Sequence, residues 1–399
     1  MAGLVTLTIS IPISNAQERG KKSGLKLGPF QVSVVAPFTA GVDSNVYNTP
    51  DEVGDEAFTI RPTLQVLLPL GRRARITSTG GIAPYYFHTE KSQRHTDLFG
   101  RVRAEIDAGP VTPFVGVEGA RYRQRFSLEI DDRIRRESSG YLFGATLRIR
   151  RQLTLTASQD MVTWTYDPEA SFAGQPVSTA LDRDTRTRTV QLRVPLTRKT
   201  FLVPWIDLIE DHFLNAAPGT IDLVKSSRYG AAFEFSELAF FKGRAAAGVR
   251  HYSGGQGVPP YDGPFFAVNL EMPFVWGSRL QLAAARDVNY SATPSPLGPA
   301  VRQTHIAGTY GASVNFELPW KLQGRVLGGF DNTKYIPPAD SDALAPPGEH
   351  GDTLGVALLR HLGRHLSLGG IVRFVNRTSP DATRSYSDRV YGMTGDIRF

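Results

Sequence analysis

The chain has no cysteine, only four tryptophans and nine lysines, and beyond residue 16 no run of about eighteen apolar residues. The first absence excludes a disulfide scaffold, a Cys-ligated zinc or iron–sulfur site and a cysteine nucleophile. The last excludes a helical membrane span. What the 399 residues do contain is 39 glycines, 27 prolines, 22 phenylalanines and 14 tyrosines, in a chain only 41% hydrophobic. Such a composition favours strands joined by turns. The net charge is +7, and 36 of the 45 basic residues are arginine, the residue suited to fixed, forked contacts with carboxylates or phosphates.

The first residues are apolar and end in Ser14-Asn15-Ala16, where small residues precede Gln17 as at a secretory cleavage site. Residues 1–16 are therefore expected to be a signal peptide, truncated because it has no basic start, with a short edge strand as the alternative. Residues 17–29 would be a periplasmic segment and residues 30–399 one domain.

Alternation of apolar and polar residues is the dominant pattern. Between Gln303 and Leu318, Ile306, Tyr310, Ala312, Val314, Phe316 and Leu318 take one face, and His305, Thr309, Ser313, Asn315 and Glu317 the other. Leu98, Val102, Ala104 and Ile106 likewise oppose Asp97, Arg101, Arg103 and Glu105. A period of two over such lengths predicts long strands between two different solvents. Two segments break step. Between Phe114 and Phe126, with Gly116 and Gly119 within it, Glu118 falls among apolar residues, and near Asp160-Met161 the apolar positions change from odd to even. A β-bulge in each is the expected cause.

Tight connections are expected near Gly71, Gly109, Arg151, Thr200, Gly243, Gly277, Pro319 and Gly363, one about every 40 residues, with longer polar connections between them. One hairpin of two long strands per repeat gives about eighteen strands, sixteen being the alternative. A β-propeller shares the period but needs three turns within it and carries a Gly-His and Trp-Asp signature, which is missing.

Long strands with an unbroken apolar face need an apolar exterior, and only a helix or a closed barrel satisfies its backbone in lipid. The sequence thus predicts an all-β, single antiparallel transmembrane barrel of the outer-membrane type, with short periplasmic turns and longer extracellular loops. Aromatics cluster at both strand ends, Trp276, Trp320, Phe201, Trp205, Phe240 and Phe241 by the short turns, and Tyr85, Tyr86, Phe87, Trp164, Tyr166, Tyr252, Tyr290 and Tyr335 by the long loops. Two interfacial girdles are expected. Tyr391, Met393, Ile397 and Phe399 alternate with polar residues in the last segment. That pattern is similar to the C-terminal assembly signal of bacterial outer-membrane proteins, and implies the barrel assembly machinery as a partner.

The opening motifs Pro29-Phe30-Gln31-Val32, Asp43-Ser44-Asn45-Val46-Tyr47, Ile60-Arg61-Pro62-Thr63-Leu64 and Pro69-Leu70-Gly71 resemble those of the β-barrel porins that accompany exopolysaccharide operons in Gram-negative bacteria. The resemblance implies an outer-membrane channel and, more loosely, a place in polysaccharide export beside periplasmic export components. Alginate exporters, capsule-assembly barrels and general diffusion porins have similar strand numbers.

A barrel this wide encloses water. The polar faces predict a lumen lined by Arg101, Arg103, Arg121, Arg123, Arg125, Arg148, Arg150, Arg244, Arg250 and Arg325, with fewer acids among them. Such a wall would concentrate anions, acidic sugars included. Arginine–carboxylate ladders that only stiffen the wall are the other reading. A barrel-borne hydrolase is the competing class, with Glu210 and His212 as its best start, but no serine or paired acid completes a site. Asp131-Asp132 and Asp51-Glu52 offer too few ligands for calcium. Neither a metal nor a cofactor is expected, and no basic-aromatic motif supports nucleic-acid binding. Outer-membrane lipid and lipopolysaccharide are the expected surroundings. The loops at 167–182 and 336–350 are long enough to fold inward.

Overall fold

The computed structural model describes residues 25–125, 127–130, 133–216, 222–236, 240–252, 258–293, 295, 302–337 and 347–399. The expected signal peptide and most of the segment after it lie outside these residues.

Eighteen antiparallel strands follow one another round a closed ring. They are β1 (Phe30–Asp43), β2 (Asp55–Ile60 and Thr63–Leu70), β3 (Ala74–Phe87), β4 (His95–Ile106), β5 (Val111–Gln124) and β6 (Ile134–Arg148). Next come β7 (Thr154–Tyr166), β8 (Arg183–Pro195), β9 (Thr200–Phe213), β10 (Leu223–Phe235), β11 (Lys242–Tyr252) and β12 (Tyr261–Pro273). The last six are β13 (Arg279–Tyr290), β14 (Thr304–Leu318), β15 (Leu322–Tyr335), β16 (Glu349–His361), β17 (Leu366–Thr378) and β18 (Tyr386–Arg398). The two parts of β2 keep one register against β1, and the break falls at Pro62, which has no N–H to donate.

The ring closes between β1 and β18, from Val35 opposite Arg398 to Asp43 opposite Val390. Beyond that point a short strand, Leu25–Leu27, turns back on Phe30–Val32 and covers the rest of that edge of β1. Closure leaves no open sheet edge in the bilayer. At the seam Gly41 faces Gly392, where a Cβ on Gly41 would stand 2.1 Å from the Tyr391 carbonyl oxygen. Only glycine allows that approach.

The strand period decides which residues meet lipid. Leu98, Val102 and Ile106 of β4, Val115 and Val117 of β5, Ile206 and Leu208 of β9, and Leu354, Val356 and Leu358 of β16 all stand exposed on the outside. Tyr391, Met393 and Phe399 share that face on β18. Trp276 and Trp320 project fully from two short turns on a left-handed backbone. With Phe240 and Phe241 they form a girdle at the short-turn end, but Phe201 and Trp205, expected in it too, turn inward and pack with Val203 and Ala232.

The girdle at the other end is not as expected. Tyr86 faces outward, but Phe87, Tyr166, Tyr252, Tyr290 and Tyr335 are buried inside the barrel. Neither expected bulge is present: β5 pairs with β6 without interruption from Val111 to Gln124, and β7 with β6 from Thr154 to Tyr166. The apolar residues change face because part of the barrel interior toward the long loops is an apolar cluster, where buried side chains of several strands and loops pack together.

Candidate functional site in the barrel lumen

Toward the short turns the inner wall is a ladder of arginines and carboxylates. On β4 Arg103 meets Glu105 at 2.8 Å while its guanidinium lies over the Phe114 ring at 4.1 Å, and Arg75 of β3 pairs with the same Glu105. Arg101 reaches Glu118 of β5 at 3.6 Å, so Glu118 belongs to the wall with no bulge needed. Farther round, Glu234 lies between Arg193 at 3.0 Å and Arg244 at 3.7 Å. Nearer the long loops, Asp287 lies between Arg228 at 3.0 Å and Arg250 at 2.9 Å, and Arg228 also holds Asp207 at 3.1 Å. Arg325, nearly buried, has Ser313 Oγ at 3.5 Å. A forked cation between two acids orients both, so these rungs stiffen the wall as well as charge it.

At the rim of the short turns Arg148 and Arg150 join Arg73 and Asp107 around a cavity of about 760 Å³. Arg148 stands 3.9 Å from Asp107. Three guanidinium groups and one carboxylate leave this rim positive.

Two of the ten arginines require correction. Residues opposite each other share a face, and Arg121 is opposite lipid-facing Leu98 and then Glu137, to which it donates at 2.8 Å. Arg123, two residues on, stands on that same outer face, and its guanidinium turns over the rim to the Ser92 carbonyl at 2.8 Å. The expectation assumed a bulge that the continuous register does not contain. Arg125 lies past the end of β5 and donates to the Val46 carbonyl at 2.9 Å; it lines a small cavity of about 130 Å³ with Arg123 and Arg133. Glu210 and His212 also lie on the outer face, Glu210 against Arg186 and Arg188, and His212 3.4 Å from Asp222.

The outer half of the lumen is built by loops. The connection from β5 to β6 crosses toward β14, nine of eighteen strands away, and inserts Glu129. Its buried carboxylate accepts from the backbone N–H of Ala292 at 3.1 Å and of Thr293 at 3.0 Å, from the Thr293 hydroxyl at 2.6 Å and from the Ser291 hydroxyl. Tyr335 donates from 3.4 Å, and His305 Nδ1 stands 3.8 Å away. Arg384 donates to the Glu129 carbonyl and meets Glu349 at 2.8 Å, where Arg377 is also bound. Beside it Ile130 joins the apolar cluster.

A second loop turns in from the end of β7. Its five-residue helix, Val177–Leu181, buries Val177 and Leu181 in the same cluster as Phe213, Tyr252 and Tyr290. Arg302 donates to the Ala180 carbonyl at 3.0 Å. Asp182 takes the Tyr166 N–H and the Asn215 amide, each at 2.8 Å; burial is the larger influence on it and raises its pKa above the usual carboxylate value. This loop was expected to be able to fold inward. The one at 336–350 lies largely outside the described residues. Glu129 escaped the sequence reading because it sits in a loop and its partners are distant in the chain.

A closed antiparallel ring, apolar outside and charged inside, is the architecture of an outer-membrane porin. The family model described as Putative beta-barrel porin 2 matches residues 20–398. The chain belongs to that family. It is an outer-membrane channel barrel, as the opening motifs and the strand pattern implied. No curated protein matches it. Among solved structures it is similar to the outer membrane protein OpdK of Pseudomonas aeruginosa, with 9% identity, 92% of this chain and 98% of the other covered, and a TM-score of 0.48. It is also similar to the outer membrane channel DcaP of Acinetobacter baumannii, with 12% identity, 94% and 100% covered, and a TM-score of 0.47. A bacterial polysaccharide outer membrane secretin aligns with 8% identity over 92% and 98%, with a TM-score of 0.35.

Proposed function

We propose that this porin carries an anionic solute, and that the solute is an acidic exopolysaccharide leaving the cell. The observation that carries the reading is the basic rim at the short-turn, periplasmic end, where Arg73, Arg148 and Arg150 surround a wide cavity with Asp107 alone opposing them. A mouth of one sign raises the local concentration of the opposite ion. Farther in, most wall arginines already share a carboxylate, so a carboxylate of the solute competes for part of a fork. Contacts of that kind are exchangeable, and a polymer can slide along them where one tight site would hold it.

The loops packed into the outer half favour a second reading, a gated porin for small anions. Here the loop carrying Glu129 would set the size limit. Reversal potentials across planar bilayers test the charge selection common to both: anion preference is expected, and Arg73→Gln with Arg148→Gln and Arg150→Gln should reduce it. Cation preference in the natural protein overturns the charge argument. Deletion of the gene separates the two readings, because export requires secreted polysaccharide to fall.

A further inference from the structure

The outside of the barrel carries arginines where its apolar band ends. Arg121 and Arg135, on β5 and β6, flank Glu137 at 2.8 and 3.8 Å. Arg186 and Arg188 of β8 flank Glu210 of β9 at 3.9 and 3.6 Å. Register fixes the face: Arg121 opposes Leu98, Arg188 opposes Leu208, and two residues below Arg188, Val190 opposes Ile206. All four of those apolar partners are exposed to the outside. Each arginine lies within six residues of the long-loop end of its strand, and each keeps close to half its side chain exposed.

Charge on a lipid-facing surface is costly in hydrocarbon and favourable only at head-group level. Each acid here serves two arginines, so each trio keeps a net positive charge, and a guanidinium has five N–H donors, more than a shared carboxylate can take up. Asp184 is a further acid on this face of β8, and the Thr163 hydroxyl donates to it at 2.6 Å. We propose that Arg121, Arg135, Arg186 and Arg188 form a belt that binds the phosphate groups of the outer-leaflet glycolipid, lipopolysaccharide. The bidentate fork of arginine suits phosphate oxygens, and the apolar side chains below the belt would meet the acyl chains of the same lipid.

Lipopolysaccharide retained by the full-length barrel, purified from outer membranes in detergent, tests the belt. Arg121→Gln, Arg135→Gln, Arg186→Gln and Arg188→Gln together should lower retention by about tenfold or more, since a basic group near an anionic lipid surface contributes about a fivefold factor. The lumen variant Arg101→Gln with Arg103→Gln should retain it in full. Heat-modifiable migration on gels reports whether each variant is folded. Should the fourfold variant not fold, the natural barrel offered phosphorylated and dephosphorylated glycolipid gives the same test, with stronger binding of the phosphorylated form expected. Undiminished retention in the folded fourfold variant, or equal binding of both glycolipids, overturns the proposal. So does complete displacement by inorganic phosphate at equal concentration, which would make the belt a plain anion site.

Discussion

Replacing Glu129 with alanine should release the loop that crosses the outer mouth. The carboxylate takes four donors from the segment Ser291 to Thr293 and a fifth from Tyr335. Hydrogen bonds to a charged acceptor are each worth about 1.5–3 kcal/mol, but they are not additive, and the variant also removes a buried charge. Breaking a buried charged network typically costs about 3–5 kcal/mol. Taking about 3 kcal/mol, the undocked population should rise by about a hundredfold, at one decade per 1.4 kcal/mol. Glu129→Gln keeps the shape and part of the bonding, so its effect should be smaller and of the same sign. Single-channel recording in planar bilayers reads the change as a greater open fraction or larger conductance. Trypsin on intact cells reads it again, through faster cleavage at Arg125 and Arg133. Natural conductance and natural trypsin resistance in folded Glu129→Ala would refute a closing role for this loop.

Two further outcomes follow from the wall. Gly41→Val should hinder closure at the β1–β18 seam, because its Cβ would overlap the Tyr391 carbonyl, whereas Gly100→Ala, with open space at its Cβ, should be harmless. The folded fraction on unboiled gels distinguishes them. Phe399→Ser with Tyr391→Ser should impair insertion while leaving synthesis intact, if these outward residues are the ones the assembly machinery reads; unchanged outer-membrane levels under native expression would count against it.

Much of the barrel was legible because a strand between two solvents writes both into its alternation. β4 and β14 show it: Leu98, Val102 and Ile106 do face out, and Asp97, Arg101 and Arg103 in. The reading failed where it took the inside to be aqueous throughout. On β7, Met161 continues the outward row while Val162, Trp164 and Tyr166 turn inward, because the outer lumen is filled with apolar side chains of loops and strand ends. One pattern then has two physical causes, a bulge or a change of solvent, and periodicity alone cannot tell them apart. Arg121 was misassigned for the same reason. Glu129 was invisible for a different one: its partners lie more than 160 residues away, and no local pattern encodes such a contact.

The chain has no cysteine, so single cysteines can be placed without background. Introduced one at a time at positions 160 to 164 of the barrel in outer-membrane vesicles, they ask directly whether the register is unbroken and the outer lumen filled. A lipid-phase thiol reagent should label the variants at Met161 and Thr163 and spare those at Val162 and Trp164. Labelling at Val162 and Trp164 instead would restore the bulge, turn those side chains to the lipid, and contradict the loop-filled mouth.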